Sequence, residues 1–235
     1  MEKQDPLQEL SSLAESKILF PEDRIYLDSG ALKRFLVARD YNVEKALEMW
    51  EKWVQWRKEY RADQITEQEM MPHIQTGKAF YHGKDAENRP CLIFRVRYHH
   101  PNQANLEDTM RYCIYLIEKG CQLADELGSG QICVIYDRGE ITSANKDNRL
   151  IDAIKSLSGM LQDFYAERLG AVYVLHVNWF YWLMFQAAKP FMQKKTRKKV
   201  QVLRNPKNLL NFFDKSELLE EYGGTSSYSH PYPVN

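Results

Sequence analysis

The amino-acid sequence predicts an α/β protein in which an N-terminal helical unit precedes a mostly parallel sheet with flanking helices. Up to about residue 75, apolar residues recur at helical spacing; beyond it, short apolar runs alternate with longer amphipathic stretches. Strands separated by helices imply βαβ crossovers, because two parallel strands need a long connection between them. A chain of 235 residues is long enough to bury a substantial core in such a domain.

The helical unit carries two start signals. Asn42 fits an N-cap, because apolar residues follow it at helical spacing: Val43, Leu47, Trp50 and Val54. Thr66 and Glu69 fit a capping box, in which a hydroxyl and a carboxylate satisfy free N–H groups at a helix start. Residues 1–75 are therefore expected to form a helical region.

The remainder of the chain is expected to form the α/β domain over residues 76–224, followed by a polar tail over residues 225–235. Strands are expected over residues 90–98, 131–137, 171–177 and 200–203. Helices are expected over residues 105–127 and 145–164, from about residue 180, and over 206–213.

The sequence contains no recognisable catalytic machinery. Neither GxGxxG, GxxxxGK[ST] nor GxSxG is present in a suitable context. We interpret His176 as a hydrogen-bonded structural histidine, since no nucleophile is arranged near it. Asp137 and Glu140 could mimic a carboxylate pair, but acidic residues are common turn formers at strand ends. The four cysteines show no metal-ligand spacing, so we expect reduced thiols and no metal. Because the catalytic and cofactor-binding motifs are missing, we also expect no cofactor and no enzyme.

Composition excludes an overall polycation, because 32 basic residues balance 32 acidic ones. A nucleic-acid-binding module is therefore not expected. The first residues lack the features of a signal peptide, and no apolar run reaches the roughly 18 to 20 residues that span a bilayer. We expect a soluble, cytoplasmic protein.

The stretch "WFYWLMFQAAKPFM", residues 179–192, is apolar around nearly its whole circumference. Such a helix is either a central core helix or faces apolar material that is not protein. Six cationic residues lie in or directly after it, between Lys189 and Lys199. This cluster is either a solvated turn or a surface for anionic lipid. An anionic headgroup at the mouth of an apolar cavity would explain both features together.

These segments resemble the CRAL-TRIO lipid-binding family from about Ser29 to Gly224. "LKRFLVARDYNVEKALEMWEKWVQWRKEY" is similar to the family's N-terminal helical signature. "GKDAENRPCLIFRV" resembles its hairpin and strand, and "FYAERLGAVYVLHVNWFYWLMFQAAKPFMQKKTRKKVQVL" resembles its core block. The resemblance implies a lipid carrier whose sheet and flanking helices enclose a lipid pocket under a gate helix at about residues 179–192.

Within the family, the chain looks most similar to the phosphatidylinositol transfer proteins. The resemblance implies a lipid headgroup site at Arg39, Glu167, Arg168, Thr196 and Lys199. It implies gate and pocket residues at Trp179, Phe180, Trp182, Leu183, Met184, Phe185, Phe191, Ile132 and Val134. Membrane docking is expected from Lys194, Lys195, Arg197 and Lys198. The expected protein is a monomer that visits membrane surfaces as a peripheral protein and carries phosphatidylinositol, with or without a second lipid.

Three departures from the family pattern bear on the ligand. Ile132 and Val134 stand where carriers of phosphatidylcholine have small hydroxyl residues, so phosphatidylcholine is a doubtful second ligand. Asn178 replaces a usual proline, and Asp40 replaces a common basic residue. Three alternatives stay open: a carrier of a neutral hydrophobe such as a sterol, tocopherol or retinoid, a lipid-sensing protein-interaction scaffold, and a lipid-modifying enzyme, for which the sequence offers no nucleophile.

Overall fold

The computed structural model describes residues 5–101, 105–145, 147, 149–179, 182, 183, 186 and 194–228. The side chains of residues 150–155, 158 and 194–196 lie outside this description. By packing, the chain divides into two units. The first comprises the residues up to Gln64 together with Ile154–Glu167, and the second comprises Ile65–Ala153 together with the residues from Arg168 onward. The domain limits expected at residues 75 and 224 stay predictions.

The first unit is helical. It contains α1 (Pro6–Ser16), α2 (Ser29–Ala38), α3 (Val43–Tyr60) and the later part of α6 (Leu150–Phe164). The predicted cap is confirmed, because the Asn42 side chain accepts a hydrogen bond of 2.9 Å from the Lys45 N–H. Trp50 is fully buried in this unit, and its indole N–H donates to the carbonyl of Tyr26 at 2.9 Å.

The second unit contains the sheet. Its elements, in chain order, are α4 (Glu67–Ile74), β1 (Ala79–Lys84), β2 (Pro90–Arg95), α5 (Leu106–Glu126), β3 (Ile132–Asp137), the start of α6, β4 (Leu169–Leu175), α7 (Lys194–Lys199) and β5 (Val200–Leu203). The strands lie in the order β1-β2-β3-β4-β5. Strands β2 to β5 are parallel, and β1 is antiparallel to β2. The predicted α/β class with a mostly parallel sheet is confirmed. None of the helices in the described residues is long and apolar enough to cross a membrane.

Two predicted helices differ from the structure. Residues 206–213 were expected to be α-helical, but Pro206–Asn211 form a 3-10 turn in which the Asn205 side chain accepts from the Lys207 N–H. The turn places Leu209 and Phe213 in the core of the sheet. The helix expected from residue 145 begins at Leu150, because the buried Asn145 amide is used to hold a loop. It donates to the carbonyls of Arg97 and His99 at 2.9 and 3.1 Å.

Helix α5 packs so closely on the sheet that one helix position must be glycine. A Cβ at Gly120 would lie 1.9 Å from the Tyr81 hydroxyl oxygen, which donates to the Leu116 carbonyl at 2.9 Å. The same Cβ would also lie 3.0 Å from Ile132. Glycine is unfavourable in the interior of a helix, but at position 120 it allows α5 to contact the sheet.

We expect Gly120→Ala to lower the free energy of unfolding by about 1–3 kcal/mol, because overpacking outweighs the better helix propensity of alanine. Gly159→Ala is the matched control, since Gly159 lies in α6 and a Cβ added there would meet no described atom within 4 Å. This control should gain about 0.5–1 kcal/mol from helix propensity. Urea denaturation of both variants measures the difference, and a stabilised Gly120→Ala protein would contradict the close packing.

Candidate functional site

The two faces of the sheet differ in burial. On one face the side chains form the buried core of the second unit, including Cys133, Ile135, Tyr173 and Leu175. On the other face lie six apolar side chains that are only half-buried: Val134, Tyr136, Val172, Val174, Val200 and Val202. An apolar sheet face that stays partly accessible is unusual for a core strand and is typical of a surface that receives a ligand.

The strand register arranges this face into two rows that run across the sheet. The first row is Leu92, Val134, Val172 and Val200. The second row is Phe94, Tyr136, Val174 and Val202. We call these eight residues the apolar floor. The rings of Phe94 and Tyr136 stack with centroids 5.6 Å apart, so the floor is continuous between β2 and β3.

The two predicted pocket residues on β3 have different surroundings. Val134 lies in the first row of the apolar floor and is half-buried. Ile132 points to the same face but is 4 % exposed, because it lies beneath Gly120 of α5. Helix α5 thus covers this face of the sheet at the amino end of β3. The half-buried part of the face begins two residues further along the strand, at Val134.

The predicted gate lies after β4 and is described only in part. Trp179 and Leu183 are exposed, at 68 % and 51 %. Trp182 is half-buried, and the Arg204 guanidinium lies 5.1 Å from its ring centroid. Phe180, Met184, Phe185 and Phe191 lie outside the described residues. Large apolar side chains are therefore exposed directly after the strand that carries Val172 and Val174.

The predicted docking residues lie in α7, immediately before β5. Arg197 is half-buried and Lys198 is exposed, while the side chains of Lys194 and Lys195 are outside the described set. Lys199 is half-buried and ends the helix. The next residue in the chain, Val200, belongs to the apolar floor.

The other predicted headgroup residues are distributed over the two units. Arg39 and Glu167 belong to the first unit, and Arg39 there lines a cavity of about 220 Å³ together with Lys45, Lys52 and Asp163. Glu167 is half-buried and has a φ of 58°.

The second unit holds the remaining two. Arg168 is largely buried, and its guanidinium is bound by both carboxylate oxygens of Asp125 at 2.5 and 2.8 Å and by the Gly130 carbonyl. The Thr196 side chain lies outside the described set. The role of the five predicted headgroup residues stays a prediction.

A buried carboxylate holds the carboxyl end of the sheet together. Asp137 is 1 % exposed and ends β3. One oxygen accepts from the Gly139 N–H at 2.8 Å and from His176 Nδ1 at 2.7 Å. The other accepts from Tyr222 at 3.0 Å and from Arg97 at 3.1 Å. We call Asp137 and these four partners the Asp137 network.

The carboxylate of Asp137 stays ionised despite its burial. Burial opposes ionisation, but the hydrogen bonds from Gly139, His176 and Tyr222 outweigh it and hold the pKa of Asp137 below its ordinary value. His176 has a φ of 52°, a left-handed conformation that costs about 1–2 kcal/mol, and its bond to Asp137 fixes that geometry. The hydrogen bond predicted for His176 is present, and its structural role stays a prediction. Because His176 directly follows β4, the network also positions the chain that leads to Trp179.

Asp137 and Glu140 do not form the carboxylate pair considered from the sequence. The Glu140 carboxylate is exposed and lies 3.7 Å from Arg97 Nε, while Arg97 also binds Asp137. The two acids therefore share a guanidinium, which Glu221 also binds, and are not paired with each other.

Sequence analysis did not identify most of the apolar floor. Leu92, Phe94, Tyr136, Val172, Val174, Val200 and Val202 were within predicted strands but were not assigned to a pocket. The sequence signal that these residues share is their alternation, since each lies two residues from the next floor residue on its strand. That alternation identifies one face of the sheet without showing whether the face is covered.

Comparison with known proteins agrees with this architecture. The CRAL/TRIO domain family model matches residues 74–224. The phosphatidylinositol/phosphatidylcholine transfer protein SFH13 of Arabidopsis thaliana is 30% identical over 234 residues, which covers 92% of this chain and 37% of that protein. The related SFH9 of the same plant is 28% identical over 220 residues, covering 86% of this chain and 38% of that protein. The chain therefore spans less than two-fifths of the length of these two relatives.

A solved structure shares the fold. The crystal structure of Sfh5 superposes with a TM-score of 0.71 at 17% sequence identity, covering 98% of this chain and 91% of that one. At this identity the similarity concerns the fold alone. The family model matches more than half of the residues and shows that this chain belongs to the CRAL/TRIO domain family.

Proposed function

We propose that this chain binds phosphatidylinositol in an apolar pocket and transfers it between membranes. The observation that carries the proposal is the apolar floor, a sheet face of eight apolar side chains that are mostly only half-buried. The names of the relatives support the lipid class, since those proteins are phosphatidylinositol/phosphatidylcholine transfer proteins.

The acyl chains would lie on the apolar floor. Each buried methylene contributes about 0.8 kcal/mol relative to water. A bilayer offers the lipid the same contribution, so exchange between protein and membrane is near balance. Headgroup contacts would then decide which lipid is retained. This is the role that we propose for Lys199, which directly precedes a floor residue in the chain, and for Glu167, Arg39, Arg168 and Thr196.

The proposed chemistry follows from the side chains. An ammonium such as that of Lys199 and a hydroxyl such as that of Thr196 donate to a phosphate, and a carboxylate such as that of Glu167 accepts from inositol hydroxyls. Arg168 is already bound by Asp125. We therefore expect an Arg168 variant to lose stability together with lipid.

Delivery would take place at a membrane surface. The cations of α7, Lys194, Lys195, Arg197 and Lys198, would attract anionic lipid with about 1 kcal/mol each near the surface. The exposed Trp179 and Leu183 would contact the interface, where tryptophan is favourable. In this proposal the protein is a cytoplasmic, peripheral membrane protein and acts as a monomeric carrier without an enzymatic step.

Lys199→Ala is expected to lose at least about tenfold in phosphatidylinositol retained, since a charged hydrogen bond contributes roughly 1.5–3 kcal/mol. The measurement is mass spectrometry of lipids extracted from the purified protein after incubation with liposomes of phosphatidylinositol, phosphatidylcholine and cholesterol. Glu167→Ala is expected to behave similarly. Lys215→Ala is the control, because it removes an exposed lysine from the C-terminal segment and should leave loading unchanged.

Two outcomes would overturn the phosphatidylinositol assignment. Cholesterol or another neutral hydrophobe that is retained equally by wild type and Lys199→Ala would indicate a carrier of neutral ligands. A protein that retains no extractable lipid from any liposome would indicate an interaction scaffold. Phosphatidylcholine is expected to load poorly, because Ile132 and Val134 offer its phosphate no hydrogen-bond donor.

A further inference from the structure

The second unit contains a cavity of about 360 Å³ lined by residues of α4, α5 and the loops that flank β1 and β2. Its lining includes His73, Lys78, His99 and Asp108. None of the apolar floor residues lines it. The proposed lipid function therefore leaves this cavity unexplained.

Lys78 is the unusual residue of the cavity. It is 4 % exposed, although a lysine is almost never fully buried without an ion pair. Among the described side chains, no carboxylate oxygen lies within 4.0 Å of its amine. The amine lies 2.9 Å from His73 Nδ1 and 5.4 Å from the ring centroid of Tyr112.

These surroundings disfavour the charged form of the amine. Burial is the largest cause and lowers the pKa of Lys78. Burial, together with the charge of Lys78, also lowers the pKa of His73 to about 4, so its imidazole is neutral near pH 7. A neutral imidazole that carries its proton on Nε2 can accept a proton or a hydrogen bond at Nδ1.

The titratable groups around Lys78 come from three elements. They are Glu69 and His73 from α4, Asp108, Tyr112 and Cys113 from α5, and His99 and His100 after β2. Glu69 is engaged by Arg111, and His99 Nε2 lies 3.2 Å from Asp147. Asp108 is exposed at the first turn of α5. The amine of Lys78 is thus buried, while of the two acids that line the cavity Glu69 is paired with Arg111 and Asp108 is exposed to solvent.

We propose that Lys78 is a reactive amine that captures a small carbonyl compound, an aldehyde, in this cavity as an imine. Lysines buried without a counter-ion are the ones that proteins use for Schiff-base chemistry. The cavity has room for an aromatic or short aliphatic aldehyde.

The reaction balances without an oxidant or reductant. The Lys78 nitrogen attacks the carbonyl carbon, a C–N bond forms, and the carbonyl π electrons move to oxygen. The first proton of the nitrogen passes by way of His73 Nδ1, 2.9 Å away, to the oxygen, which becomes a hydroxyl. The hydroxyl then leaves with the second nitrogen proton as one molecule of water, and the nitrogen lone pair forms the C=N bond of the imine.

Benzaldehyde with sodium cyanoborohydride tests the proposal, because the reductant traps each imine as a stable benzyl amine. Peptide mass spectrometry of the wild-type protein at pH 7 gives the labelling rate of each lysine. We expect Lys78 to react faster than the exposed Lys215, because burial favours the neutral, nucleophilic form of the Lys78 amine. Labelling of Lys78 at or below the rate of Lys215 would overturn the proposal.

Three variants sharpen the result. Lys78→Met should abolish the fast label and Lys215→Met should not, with circular dichroism and lipid loading as checks of folding. If Lys78→Met does not fold, the two rates within the wild-type protein still decide. His73→Gln keeps a hydrogen-bond acceptor but cannot take a proton, so it should slow labelling at Lys78 and leave Lys215 unchanged. An unchanged rate at Lys78 would overturn the role of His73 in proton transfer.

Discussion

Replacing Asp137 by alanine is expected to lower the free energy of unfolding by about 3–5 kcal/mol at pH 7. The substitution removes one buried carboxylate and leaves four donors without their acceptor: Arg97, Gly139, His176 and Tyr222. Tyr222 is buried, so the loss of its acceptor is a desolvation cost as well as a missing bond. Urea denaturation with a constant m-value measures the change.

Glu140→Ala is the matched control. Glu140 also approaches Arg97, at 3.7 Å, but its side chain is 81% exposed. Exposed ion pairs contribute little, so this variant should stay within about 0.5 kcal/mol of wild type. Similar losses from both substitutions would show that Arg97, and not the buried carboxylate, organises this end of the sheet.

The same network makes a pH prediction. The pKa of Asp137 is lowered in the folded protein, so its contribution to stability is present above the unfolded-state pKa and is lost as the pH falls through the folded-state pKa. We expect the stability difference between wild type and Asp137→Ala to be constant near neutrality and to shrink below about pH 4. A difference that grows on acidification would contradict an ionised Asp137.

Val172→Glu is expected to abolish lipid loading while the protein stays folded. Val172 lies in the first row of the apolar floor between Val134 and Val200, so acyl chains on the floor would bury the new carboxylate. Burying an unpaired charge costs several kcal/mol, which corresponds to more than about a hundredfold in retained lipid. The lipid-free protein loses less, because the valine is only half-buried and the carboxylate can reach water.

Gln201→Glu serves as the control for charge. Gln201 lies on β5 next to Val200, points to the opposite face and is exposed, so its carboxylate should leave loading unchanged. Extracted lipid and the urea midpoint are measured for both variants. Normal loading of Val172→Glu would show that the apolar floor is not where the lipid lies, whereas unfolding of Val172→Glu alone would show that the face is core.

Much of the fold could be predicted because it depends on neighbours in sequence. The Asn42 cap and the bond from the Glu69 N–H to the Thr66 hydroxyl involve residues three apart, and the strand at residues 200–203 has the predicted bounds. The Glu69 carboxylate, expected to complete the capping box, binds Arg111 instead. Errors occurred where a distant contact decides the local conformation. Asn145 was expected in a helix, but it donates to Arg97 and His99, more than forty positions earlier in the chain.

The candidate site divides in the same way. The cationic run in α7 and the apolar stretch before it can be read directly from the sequence, and the resemblance to a family rests on them. The environment of Arg168 cannot be read from the sequence, because its bidentate ion pair with Asp125 joins the start of β4 to the end of α5. A list of side-chain types identifies candidate headgroup residues but does not show which of them already has a partner.

The sequence by itself determined the periods of the elements, the alternation of apolar residues along β3 and β4, and the clustering of positive charge before β5. Only the tertiary structure decided which sheet face stays half-buried, that Asp137 is surrounded by four donors, and that Lys78 is buried beside a neutral His73. The physical reason is that helix and strand preferences act over a few residues. Burial and the pKa of a side chain depend on groups that packing brings together from distant parts of the chain.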